Sequence, residues 1–176
     1  MELSAEHLET ATVGSTLDFD DCFRELFPGV ARAAALVARD RQLGPDIAQE
    51  AFARLFARWD RIENLDHARN FAYRVAVNLA RSHVRRRIAA PFGLSGPEAA
   101  TQDPTASSAA WLDAVAALEH VSPKQRACIV LVDYADMDAA SASAVLGMAE
   151  ATVRVHLLRG RRALRTRLDL PEEGSA

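Results

Sequence analysis

A chain of 176 residues, 49% hydrophobic and 6% aromatic, is long enough for one ordinary domain or two small ones and too poor in aromatics for a base-stacking platform. No run approaches the roughly 20 apolar residues of a membrane-spanning helix, and Glu2, Glu6 and Glu9 stand where a secretory leader would carry cations, so a soluble cytoplasmic protein is expected. The formal net charge of −3 hides a segregation: His67 to Ala90 holds six arginines and no Asp or Glu, and so does Ala151 to Leu168.

Helical periodicity runs through nearly the whole sequence and strand-type alternation is absent, which predicts an all-α fold. A first helix is predicted from about Asp20 to Arg39, its acidic first turn suited to the helix dipole. Gly44-Pro45-Asp46 breaks and restarts the chain. Phe52, Leu55, Phe56 and Trp59 then fall at i, i+3, i+4 and i+7 as one apolar stripe. After a looser polar stretch, Arg61 to Arg69, the same spacing returns in a third helix with Ala72, Val75, Ala76 and Leu79. Residues 89–108, with Pro91, Gly93, Gly96, Pro97 and Pro104, have no period and few large apolar side chains, and are expected to be a flexible linker.

Four shorter helical units are predicted beyond it. The first is Trp111 to Leu118. The second opens on Ser122-Pro123-Lys124-Gln125, an N-cap, a first-turn Pro and a capping-box Gln, with Ala127, Val130, Leu131 and Tyr134 inside. Asp138 to Leu146 follows and ends at Gly147; Glu150 to about Leu168 buries Val153, Leu157, Gly160 and Leu164. The expected plan is a disordered tail (1–16), a helical domain (17–88), the linker, a second helical domain (109–170) and an acidic tail (171–176). Cys22 and Cys128 are expected to be reduced, buried thiols.

Two cationic helices in an otherwise acidic chain imply a grip on a polyanion at two places. A short helix, a turn at Gly147 and a longer basic helix form the pattern of a helix-turn-helix, whose second helix normally enters the major groove. On that helix Arg154, Leu158, Arg161 and Arg165 share a face away from the apolar stripe, and Thr152 at its start is placed for a phosphate or base contact. The earlier basic helix repeats the construction in Arg74, Asn78, Arg81 and Arg85, where an Asn amid arginines is a candidate for hydrogen bonding to a base. Asp46, Gln49 and Glu50 gather at the start of the Phe52 helix and point to a protein-binding face. Phosphate-loop, dinucleotide, nucleophile-elbow and zinc-protease motifs are missing, and the five histidines have no metal-ligand spacing, so no enzyme, cofactor or metal site is expected. Asp133, Asp136 and Asp138 do not align as a calcium loop.

Pro45-Asp-Ile-Ala-Gln-Glu-Ala-Phe52, followed by Asn70-Phe-Ala-Tyr-Arg-Val-Ala-Val-Asn-Leu-Ala80, resembles the second conserved region of bacterial RNA polymerase sigma factors of the extracytoplasmic-function (ECF) class. Ser122-Pro-Lys-Gln-Arg126, Val145 to Arg154 and Arg159 to Leu164 resemble their fourth region. The resemblance implies two small helical domains joined by a flexible linker: a region-two bundle and a region-four helix-turn-helix. It implies that Arg69, Phe71, Arg74, Asn78, Arg81 and Arg85 contact the minus-ten promoter element and help to melt it. It implies that Thr152, Arg154, Val155, His156, Leu158, Arg159, Arg161, Arg162 and Arg165 meet the minus-thirty-five element, and that Asp46, Gln49 and Glu50 dock on the beta-prime clamp. The fourth-region domain would sit on the flap of the beta subunit. The implied partners are core RNA polymerase, promoter DNA and an anti-sigma factor, with no membrane insertion. Phe71 stands where the family commonly has Trp, Ala149 replaces a common Ser cap, and Val155 and His156 replace polar and Arg contacts. From the residues alone, a helix-turn-helix regulator that binds duplex DNA without polymerase and a helical adaptor that binds only proteins remain as alternatives.

Overall fold

The computed structural model describes residues 17–89 and 109–168, and these form α-helices joined by short turns. Helix α1, Phe19–Ala38, starts where the Asp18 carboxylate accepts the Asp21 N–H and ends at Arg39 in the left-handed region, φ 57°, whose N–H returns to the Ala35 carbonyl. Asp40 then accepts the N–H groups of Gln42 (3.0 Å) and Leu43 (3.2 Å), which opens α2, Leu43–Phe56. A 3₁₀ turn, Trp59–Arg61, leads to α3, Leu65–Ala89, capped by the Asn64 side chain on the His67 N–H. The polar stretch expected to be loose as far as Arg69 is therefore helical from Leu65.

The first lobe, α1 to α3, is packed with small residues. Ala33, Ala34, Ala48, Ala51, Ala68, Ala72, Ala76 and Ala80 are fully buried, so the helix backbones run close together. A Cβ on Gly44 would lie 2.5 Å from the Ala31 carbonyl oxygen and 2.7 Å from Ala35 Cβ, on α1. Gly44→Ala is accordingly expected to destabilise the protein by about 1–3 kcal/mol despite alanine's better helix propensity. Gly160→Ala, whose Cβ would press on the flexible end of Ile129, should cost less; urea unfolding of both variants compares them directly. One end of the lobe is closed by Phe19, Phe23, Phe27, Phe52, Phe56 and Trp59 in edge-on, tilted and stacked contacts. Phe56, predicted on the core stripe, is the last residue of α2 and is 62% exposed: its ring covers Phe19 from outside, with centroids 4.8 Å apart.

The second lobe holds α4 (Ala109–Glu119), α5 (Pro123–Ile129), α6 (Ala139–Leu146) and α7 (Glu150–Leu168). The capping box at Ser122 and Gln125 is formed as the sequence predicts. Past Ile129 the helix widens into a π-turn, Val130–Tyr134. The extra residue per turn shifts the register, so Val130 and Leu131 stay buried while Tyr134, predicted to lie inside, faces out at 36% exposure.

Asp138 caps α6 through the Ser141 N–H at 2.6 Å, and Gly147 ends it at φ 63°. The Ser141 backbone bond, then its side chain, hold the Asp138 carboxyl below its ordinary pKa of 3.8. A lowered acid pKa means that the cap stabilises fully above pH 3.8 and is lost as pH falls through the native value. Thermal melts taken from pH 6 to pH 3 are expected to show a smaller acid-induced loss in Asp138→Ala than in the wild type.

The lobes pack on each other. Helix α3 meets α6, and α1 meets α4, α5 and the π-turn, giving one continuous core. At the seam lies Arg126, only 4% exposed: Nε donates to the Leu118 carbonyl (3.1 Å), Nη1 to Val37 (3.2 Å) and Nη2 to Val121 (3.3 Å). Burial, with Arg39 nearby and Glu119 opposing, lowers its pKa to about 10, so it remains a cation at neutral pH. On the surface beside it Arg39 pairs with Glu119 at 3.4 Å. The expected linker, apart from Ala89 at the end of α3, and both expected tails lie outside the described residues.

Candidate nucleic-acid interface

Helix α3 is buried along a broad face because α1 and α2 cover one side and α6 the other. What remains in solvent is a ridge of Arg74, Asn78 and Arg85, with Arg81 half-buried at its edge. Arg85 Nη2 donates to Ser82 Oγ at 3.0 Å, which steadies the end of the ridge. Phe71 lies beside it, half-buried, with the Arg58 guanidinium 5.8 Å from its ring centroid. Arg69 is not part of this ridge. It sits on the covered side of the helix and donates to the Ala135 carbonyl of the second lobe.

Helix α7 is anchored by Val153, Leu157 and Gly160, all buried, and by half-buried Leu164. Thr152, Arg154, Val155, Leu158, Arg159, Arg161 and Arg162 are exposed and Arg165 is half-buried. Two of the arginines are braced. Arg154 donates to Glu150 one turn earlier, with Nε at 3.1 Å, and Arg161 forks onto Asp133 of the π-turn, with Nε to Oδ2 at 3.1 Å. Asp133 and Asp138 thus have separate tasks, bracing α7 and capping α6. His156 is half-buried, with Nδ1 enclosed and without a hydrogen-bond partner among the described residues, so it leans toward the lobe rather than outward with Val155.

Asp46, Gln49 and Glu50 are all exposed on α2, and Glu50 accepts from Arg54 at 2.8 Å. This polar face adjoins a shallow groove lined by Phe19, Phe23, Gln49, Phe52 and Phe56. Sequence periodicity missed Phe56 as a surface residue; the only local signal was its place at the helix end.

The chain therefore presents two cationic helix faces and one acidic-polar face with an aromatic edge. Residues 22–88 match the family model for sigma-70 region 2, and residues 112–164 match that for sigma-70 region 4. The RNA polymerase sigma-E factor of Streptomyces coelicolor is 29% identical over 157 residues, 89% of each chain. The ECF RNA polymerase sigma factor SigM of Mycobacterium tuberculosis is 27% identical over 161 residues, 92% of this chain and 82% of that one. The fold is similar to that of the sigma factor RpoE from Bartonella quintana, solved with the anti-sigma factor NepR, at TM-score 0.67 and 20% identity over 88% of this chain and 99% of that one. It is also similar to that of CnrH, solved with the cytosolic domain of CnrY, at TM-score 0.64 and 20% identity over 86% of this chain and 87% of that one. The chain belongs to the sigma-70 family of RNA polymerase sigma factors. Within that family it is of the extracytoplasmic-function class. Among the described residues no helix is long and apolar enough to cross a membrane.

Proposed function

We propose that the chain is a cytoplasmic specificity subunit without catalytic chemistry of its own, which brings core RNA polymerase to promoters and opens them. In this reading the α3 ridge handles the minus-ten element. Arg74 and Arg85 track the backbone of an opened strand, and Asn78 hydrogen-bonds a displaced base. Helix α7 enters the major groove at the minus-thirty-five element. Asp46, Gln49 and Glu50 dock on the beta-prime clamp, and the second lobe rests on the flap of the beta subunit. An anti-sigma factor is the proposed regulator; the sigma factor RpoE of Bartonella quintana was solved with one. The observation that carries the reading is that each of the two acid-free stretches, 67–90 and 151–168, turns an arginine face to solvent within a different sigma-70 region.

Run-off transcription with core polymerase on a genomic promoter library tests it, and no promoter-dependent transcript from any template would sink it. Asn78→Ala is expected to lower opening of responsive promoters at least tenfold, about the 1.4 kcal/mol of one lost base contact, read by permanganate reactivity of unpaired thymines. Unchanged opening at every promoter would remove Asn78 from this role.

A further inference from the structure

The large hydrophobic side chains exposed among the described residues are Phe56, Tyr134, Val155 and Leu158. The last two, 45% and 71% exposed, lie three residues apart on α7 and so adjoin on its surface. Nothing among the described residues covers them. Around them stand Arg154, Arg159 and Arg162, all exposed, so the surface facing the pair must be anionic at its borders and apolar at its centre. Phosphates and sugars supply the border. In the major groove the apolar feature of a base edge is the 5-methyl group of thymine; guanine offers only acceptors there and cytosine its amino donor.

Resting on the reading of α7 as the groove-entering helix, we propose that Val155 and Leu158 read thymine methyl groups, giving the minus-thirty-five element of this chain thymines at two adjacent or nearby positions. Three residues along a helix advance about 4.5 Å, close to the base-pair rise of about 3.4 Å, so the two side chains meet neighbouring steps. The preference has a repulsive half as well. A valine or leucine set against guanine O6 and N7 would strip water from those acceptors and return no donor. Of the arginines nearby, Arg154 and Arg161 are already engaged with Glu150 and Asp133.

The test uses the full-length chain assembled with core polymerase. A duplex pool randomised across the minus-thirty-five element is selected, and the winning sequence is remade with each thymine replaced in turn by deoxyuridine, which lacks only the methyl. Two positions are expected to lose about fourfold in affinity each, the effect of one buried methyl. In Val155→Ala/Leu158→Ala, which alters exposed side chains only, both penalties should vanish. Selected sequences without thymine, deoxyuridine changes that are all neutral, or penalties that persist in the double variant would overturn the proposal and leave the apolar pair to a protein partner. Failure to select any sequence would instead bring down the promoter-binding reading itself, and this proposal with it.

Discussion

Arg126→Met is expected to lower the free energy of unfolding by about 2–4 kcal/mol and to loosen the two lobes from each other. The guanidinium satisfies three carbonyls that secondary structure leaves open: Leu118 in the last turn of α4, Val121 just beyond it, and Val37 in the last turn of α1. A buried carbonyl stripped of its donor costs about 1–3 kcal/mol. Against this, methionine fills most of the volume and relieves the burial of a charge, the effect that brings the Arg126 pKa down to about 10. The carbonyl term wins because the three acceptors are fixed by helix ends and cannot turn to water. Urea denaturation gives the magnitude, and hydrogen exchange at the end of α1 and in α5 gives the location. Arg126→Lys, which reaches one carbonyl instead of three, should fall between wild type and methionine.

The second large effect concerns the distance between the two cationic faces. The elements proposed for them, by name, lie about 25 base pairs apart, roughly 85 Å of B-form rise. A compact chain of this length has a radius of gyration of only about 16 Å. On the proposed reading the packed lobes cannot place α3 and α7 on both elements together, and they would have to part on the polymerase. Joining Arg39→Cys to Glu119→Cys, the sites of the surface pair across the seam, with a short reducible bismaleimide should cut transcription from a two-element promoter more than tenfold. Reductant should restore it. Cys22 and Cys128 do not compete for the reagent: both are buried, and burial pushes their thiols up, that of Cys128 to about 11, so little thiolate is present. Transcription unchanged by the cross-link would show that this seam stays closed in the working complex.

What could be read from the sequence was whatever is decided within a few residues. The Ser122 capping box, the turn at Gly147 and the apolar stripe of α7 all depend on neighbours within one or two turns, and each forms as predicted. The exposed ridge of Arg74, Asn78 and Arg85 was legible for the same reason. Arg69 was not. By charge alone it belongs with the others, yet it is claimed by a carbonyl 66 residues away. Tyr134 was lost to a π-turn that no local pattern announces, and Phe56 to the place where α2 stops. Arg126 carried no signal of burial, since its acceptors come from two chain segments, one of them 89 residues distant.

That separation has a consequence in time. The first lobe leaves the ribosome with the Val37 carbonyl at the end of α1 still without its donor, because Arg126 is 89 residues further along. At about 5–20 residues per second the wait lasts roughly 4–18 s, far longer than helices need to form and pack. Throughout synthesis of the second half, the α3 surface later covered by α6 and the open end of α1 face water or whatever else binds there. A newly made molecule thus passes through a stage in which its first lobe is folded but not yet sealed.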